Sequence, residues 1–153
     1  MCHSDKELLP YLEAVVWEAV RYRTSVPVMF HQTGDKDVRL GEYTIPKHSM
    51  VINNMVAVHL YRHTWGEDAF EFRPERFIDA NGRFVKHSHL IPFSIGKRIC
   101  PGELLAKQEL YLFTGNLIKR FRFQPPDGVG WIDEEPIKDS VWFPKPFKLK
   151  LAE

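Results

Sequence analysis

Residues 64–98 show no sustained hydrophobic period of either a helix or a strand, yet they are rich in aromatics and are punctuated by Pro74, Gly82 and Pro92. Runs of this kind longer than about 15 residues are uncommon in compact domains unless they serve a function. Such a chain cannot be built only from stacked regular layers; part of it has to wrap around something. The run leads into FSIGKRICPG, residues 93–102, where one cysteine sits between two glycines, behind an arginine, at the point where a helical pattern begins.

Cys100 is placed to act as a metal ligand. Pro101 suits the first position of a helix, since its missing N–H would be unpaired there and its ring presets the backbone angle. Cys100 is then expected to be the cap residue. The stretch ELLAKQELYLF that follows is rich in helix formers and puts Glu103 in the first turn, where the macrodipole favours negative charge. A thiol at such an end is stabilised as thiolate, the form that binds metal. Gly96 and Gly102 lack a Cβ, so the backbone can turn tightly and let a flat ligand come close. Phe93 is expected to wall the sulfur side, and Arg98 offers a fork of donors suited to a carboxylate.

Phe93, Gly96, Arg98, Cys100 and Gly102 fall on every fixed position of the haem-binding signature of the cytochromes P-450, and the chain resembles that family of haem-thiolate monooxygenases. The resemblance implies that haem b (iron protoporphyrin IX) is the cofactor, that Cys100 is the proximal iron ligand and that Arg98 pairs with a haem propionate. A lone cysteine is ordinarily an inert buried hydrophobe. Five matched positions in ten residues argue against that reading here.

Two more motifs agree. Glu18 and Arg21 lie three apart in LPYLEAVVWEAVRYR, where Leu12, Val15, Val16 and Ala19 form an apolar helical stripe. Taken alone, such a pair is a solvated ion pair contributing under about 1 kcal/mol. In the family the same E-x-x-R pair lies beneath the haem and is locked by an arginine from the segment that here reads FRPERF, which makes Arg76 the matching third member, with a structural role. His31, in TSVPVMFHQT, stands where many microsomal members carry a histidine that bonds a propionate; its plainer reading is a half-exposed strand residue. Val26, Val28 and Met29 match a segment that lines the distal substrate pocket, and simple core packing accounts for them equally well.

The order of elements is similar to the family's C-terminal part, with an E-x-x-R helix, a β-hairpin, a meander, the cysteine loop, a long proximal helix and a terminal β-hairpin. The expected fold class is α+β, mainly α, with residues 1–153 forming the C-terminal portion of a single haem domain. Wording such as RLGEYTIPKHSMV and LLAKQELYLF looks most like the animal microsomal branch. Within that branch the implied activity of a complete enzyme is insertion of one oxygen atom from O2 into a lipophilic molecule such as a steroid, fatty acid or xenobiotic. Electrons would come from an NADPH-dependent cytochrome reductase or cytochrome b5. Two rivals remain open: a haem-thiolate isomerase or dehydratase that needs no external electrons, and an inactive truncated chain.

Composition sets the limits. With 44% hydrophobic residues the chain is too apolar to be disordered, and its net charge of +1 gives no reason to expect nucleic acid as a partner. Neither Cys2 nor Cys100 suggests a disulfide framework. Charged residues interrupt every apolar stretch before the roughly 20 residues a membrane helix needs. Microsomal relatives are tethered to the cytosolic face of the endoplasmic reticulum membrane by an N-terminal anchor; residues 1–6 do not resemble one, and the helix that activates oxygen in the family is not expected in this chain.

The remaining pattern predicts a helix from Pro10 to about Tyr22, strands over 38–45 and 50–53 joined by a turn at Pro46, a short helix over 54–62, a helix to about Lys119 and late strands over 141–151. The alternation in Arg120-Phe121-Arg122 reads as a half-buried strand. His59 and His63 lack the glutamate of a metalloprotease helix and read as surface histidines. His87 and His89 could be forced into a zinc site with Cys100, but haem ligation is the more economical reading.

Overall fold

The computed structural model describes residues 3–152, so Cys2 lies outside the described residues. A short 3-10 segment, His3–Leu8, leads into helix α1, Pro10–Tyr22. Pro10 occupies the first turn, where its lack of an N–H costs nothing. The buried positions of α1 are Ala14, Trp17, Glu18 and Arg21, spaced as one helical face. This corrects the apolar stripe expected from Leu12, Val15, Val16 and Ala19: Ala19 is exposed and the others are half-buried. The inward face is set by the two charged residues and their partners, which outweigh the local hydrophobic pattern.

Strand β1, Val28–Gln32, follows, then β2, Val38–Leu40, β3, Tyr43–Ile45, and β4, Met50–Asn54. β2 and β3 form a tight antiparallel hairpin, while β4 turns back to pair with β1. The stretch 38–45 is thus two strands, because Gly41 takes a left-handed conformation (φ 61°) that reverses the chain. Two short helices come next, α2, Met55–Leu60, and α3, Arg62–Trp65. Asn54 caps α2 by accepting from the Ala57 N–H at 2.9 Å.

From Gly66 onward the chain runs as turns. Its regular pieces are a 3-10 turn at Pro74–Phe77, a bridge between Ile78 and Phe84, and a 3-10 turn at Gly96–Arg98. Helix α4, Glu103–Arg120, and the pair β5, Arg122–Gln124, with β6, Lys150–Ala152, complete the fold. Arg120 therefore closes a helix, and the strand begins only at Arg122. The core is formed by Ala14, Trp17, Trp65, Ala69, Phe77 and Leu90, with Ile78, Phe84 and Phe93 packed against it. The irregular segment itself supplies most of these side chains. Rings interlock edge to face across this core, Trp65 of α3 on Phe77 at 6.0 Å and Trp17 of α1 on Phe93 at 6.4 Å.

Phe77 is fully buried at the centre of this cluster. Phe77→Ala is expected to cost about 3–5 kcal/mol, read as a lower midpoint in chemical denaturation. A loss under about 1 kcal/mol would show that the meander is not held by this core.

Candidate functional site

Glu18 and Arg21 are one turn apart on α1 and both side chains are completely buried. Arg21 donates from Nε and Nη2 to the two Glu18 oxygens at 2.7 and 2.8 Å, a bidentate fork. Its other N–H groups go to backbone carbonyls: Nη1 to His59 and Ala69 at 2.7 and 2.8 Å, and Nη2 to Glu71 at 3.0 Å. All five donors of the guanidinium are used. Arg76, from the FRPERF turn, donates from Nε to Glu18 Oε1 at 3.0 Å and from its Nη atoms to the Trp65, Asp68 and Glu71 carbonyls. The Arg73 N–H adds a third donor to Glu18 Oε1 at 2.7 Å. The structure therefore brings Glu18, Arg21 and Arg76 into one buried network, with Asp68 in ion-pair range of Arg76 at 3.6 Å to balance the second guanidinium.

His59 is a structural residue that sequence reasoning missed. It is fully buried, not at the surface, because it follows Met55 by four positions and shares its inward face. That spacing was the available signal. Its Nε2 accepts the Ile91 N–H at 3.2 Å, and its Nδ1 is buried without a partner. Burial first, and then the charge of Arg21, push the imidazole down to about 4. His63 remains on the surface, stacked on Tyr61. His87 lies against Trp65 at 4.5 Å, and among the described residues no three His, Cys, Asp or Glu side chains gather as a metal-ion site.

The cysteine loop begins where His59 holds Ile91. The Ile91 carbonyl accepts the Ser94 N–H at 2.9 Å, and the Phe93 carbonyl accepts the Cys100 N–H at 2.8 Å, so the loop closes on itself. Ser94 and Gly96 both take left-handed conformations, φ 67° and 71°. For Gly96 a Cβ would touch nothing within 4 Å, so the glycine is required by backbone angle alone. Cys100 is a half-buried free thiol. It is not the helix cap: that position falls on Gly102, and the Cys100 carbonyl instead accepts the Glu103 N–H across the Pro101-Gly102 turn. A Cβ on Gly102 would lie 3.8 Å from the Cys100 sulfur. Phe93 sets its ring edge to face against Trp17. Arg98 is exposed and makes no hydrogen bond or ion pair among the described residues.

Pairing of β1 with β4 places His31 opposite Val51 and Met29 opposite Asn53, on one face. Val28 falls on the other face with Phe30 and Ile52, where it helps line a half-open apolar cavity of about 470 Å³ together with Leu60, Phe70 and Trp142. Val26 is an exposed residue ahead of the strand. The structure thus separates Val28 from Met29. His31 is half-buried, and its Nε2 is buried with no partner.

A sequence model of the family described as Cytochrome P-450 matches residues 1–151. The chain belongs to the cytochrome P-450 family. Among curated P-450 proteins it is similar to cytochrome P-450 2L1 of Panulirus argus, 36% identical over 152 residues that cover 99% of this chain and 30% of that protein. It is also similar to cytochrome P-450 2U1 of Bos taurus, 38% identical over 154 residues covering 97% of this chain and 27% of the relative. A zebrafish cytochrome P-450 solved with abiraterone superposes with a TM-score of 0.88 at 33% identity, over 99% of this chain and 34% of that one. The chain thus spans about a third or less of the length of its P-450 relatives, which are animal proteins of the microsomal type.

Two expectations follow from this geometry. Arg76→Ala or Glu18→Ala leaves a buried charge without its partner, and each is expected to cost about 3–5 kcal/mol. Thermal or chemical melts of the two variants measure it, and wild-type stability in either would remove the network from the list of fold determinants. The second concerns acid. Below about pH 6.5 the unfolded chain takes up a proton at His59 that the folded chain refuses until about pH 4. The stability contributed by neutral His59 is therefore complete above that window and is lost as pH falls through it, about 3 kcal/mol in all. His87, also lowered by burial, adds in the same direction. Denaturation at pH 7 and pH 5 should show a smaller difference in His59→Gln than in wild type.

Proposed function

We propose that this chain forms the proximal half of a haem-thiolate monooxygenase, with residues 1–153 as one part of a single haem domain and Cys100 as the iron ligand. The reading is carried by one observation: a free, half-buried Cys100 at the end of a loop whose own hydrogen bonds and left-handed residues fix its backbone. Two further features fit a dianionic macrocycle. His31 keeps a buried ring nitrogen without a partner, and Arg98 keeps a guanidinium without one among the described residues. These two are assigned to the propionates of haem b, with Phe93, Gly96 and Gly102 shaping the loop that receives it.

When bound and held by the Cys100 thiolate, haem would supply the chemistry of O–O bond cleavage. The residues of this chain hold and orient. Cys100 presents sulfur from a fixed backbone, Arg98 and His31 would hold the carboxylates of the group, and the Glu18–Arg21–Arg76 network ties the supporting turns together. Met29, on the same face as His31, is assigned to substrate contact, with Val26 and Val28 bordering that segment. The substrate class is a lipophilic small molecule such as a steroid, fatty acid or xenobiotic, which receives one oxygen atom from O2. Likeness to microsomal-type relatives supports a reductase that uses NADPH, cytochrome b5 as a further electron donor, and work at the endoplasmic reticulum membrane on its cytosolic side. No helix of the described residues is long and apolar enough to cross a membrane.

In a full-length protein carrying this chain, the reduced carbon-monoxide complex is expected to show the red-shifted Soret band of a thiolate-ligated haem. Cys100→Ala should abolish that band. An unchanged band in the variant would overturn the assignment of Cys100.

A further inference from the structure

The best-defined connection between the buried ion network and the cysteine loop runs through a residue that belongs to neither. The His59 backbone carbonyl accepts Arg21 Nη1 at 2.7 Å, and its side-chain Nε2 accepts the Ile91 N–H at 3.2 Å. Ile91 is the first residue of the turn that ends, through the Phe93 carbonyl and the Cys100 N–H at 2.8 Å, at the thiol. Leu90, immediately before it, is fully buried and anchored by its N–H to the His87 carbonyl at 3.0 Å. The entry to the loop is therefore fixed on one side by core packing and on the other by a single imidazole.

Accepting the Ile91 N–H requires Nε2 to be unprotonated, which puts the imidazole hydrogen on Nδ1. His59 lies in a completely buried position beside the Arg21 guanidinium, and both features favour the neutral ring. A part-buried backbone N–H that loses its acceptor is costly, so Ile91 would have to shift to find another. Such a shift enters the loop at its first residue, ahead of the left-handed positions Ser94 and Gly96 that have few alternative conformations.

We infer that His59 is a positioning residue for Cys100: its Nε2 sets the entry of the cysteine loop and couples sulfur placement to the Glu18–Arg21–Arg76 network. The consequence for ligation rests on the haem-thiolate reading; the tie itself does not.

Covalent geometry supplies a sharp test. The Gln side chain carries its oxygen three bonds from Cβ, as His carries Nε2, whereas the Asn oxygen is only two bonds from Cβ and corresponds to Nδ1. His59→Gln should keep the bond to Ile91, and His59→Asn and His59→Leu should lose it. Amide hydrogen exchange in the full chain, with and without haem, reads the tie directly. Ile91 and the residues up to Cys100 are expected to exchange about five- to tenfold faster in the Asn and Leu variants than in wild type or Gln, the loss of about one hydrogen bond. In the haem-loaded protein the Asn and Leu variants should also show a smaller fraction of thiolate-type carbon-monoxide complex, with Gln restoring it. If Asn and Leu fail to fold while Gln folds, the inference also stands. Equal exchange in Gln and Asn, whether both protected or both fast, overturns it. A wild-type protein without a thiolate-type band would sink the haem reading and leave the exchange result to decide the tie by itself.

Discussion

A carboxylate with no access to water dominates the energetics of this chain. Glu18 sits on the inward face of α1, and removing it from solvent is tolerable only because three donors converge on one of its oxygens and the Arg21 fork engages both. Hydrophobic residues of similar volume could fill such a space at least as stably. What they could not do is hold several unrelated loop segments at defined positions.

That is the work of the two guanidiniums. Residues 59–76 present carbonyl groups that no strand or long helix satisfies, and buried carbonyls without donors are expensive. Arg21 collects those of His59, Ala69 and Glu71, and Arg76 those of Trp65, Asp68 and Glu71. Side-chain donors thus replace the missing backbone ladder. An irregular segment becomes a rigid shelf, stacked from below by Trp65, Phe77 and Phe84, and the cysteine loop starts from its edge.

The outer surface has a different character. Along α4, Leu104, Phe113 and Ile118 are largely exposed, as are Phe30 and Ile52 on one face of the β1–β4 pair. Apolar surface on this scale marks sites of contact. It is in keeping with a chain that matches only about a third or less of the length of its P-450 relatives. Packing is concentrated where α1 meets the meander, whereas α4 and one face of the β1–β4 pair carry exposed apolar side chains.

The local signals in the chain determined a good deal. Pro10, the helix-forming run after Gly102, and the glycines and arginine around Cys100 act through backbone angles and short-range spacing, and so the element order and the family were legible. Residue pairs far apart in sequence were not. The i, i+4 spacing from Met55 puts His59 on the inward face of its helix, but only the fold says that this face meets Arg21 and Ile91, while His63 stays on the surface. Strand alternation puts Met29 and Val28 on opposite faces, but nothing local says that β4 is the strand that pairs with β1 and sets His31 opposite Val51. The cap of α4 falls on Gly102 and not on Cys100 because the Cys100 carbonyl is taken by the Glu103 N–H in a turn through Pro101, and the Gly102 carbonyl accepts the i+4 bond from Ala106. Periodicity and propensity report on the conformation of neighbours; burial, protonation and the direction of a side chain are decided by partners that only the folded chain brings together.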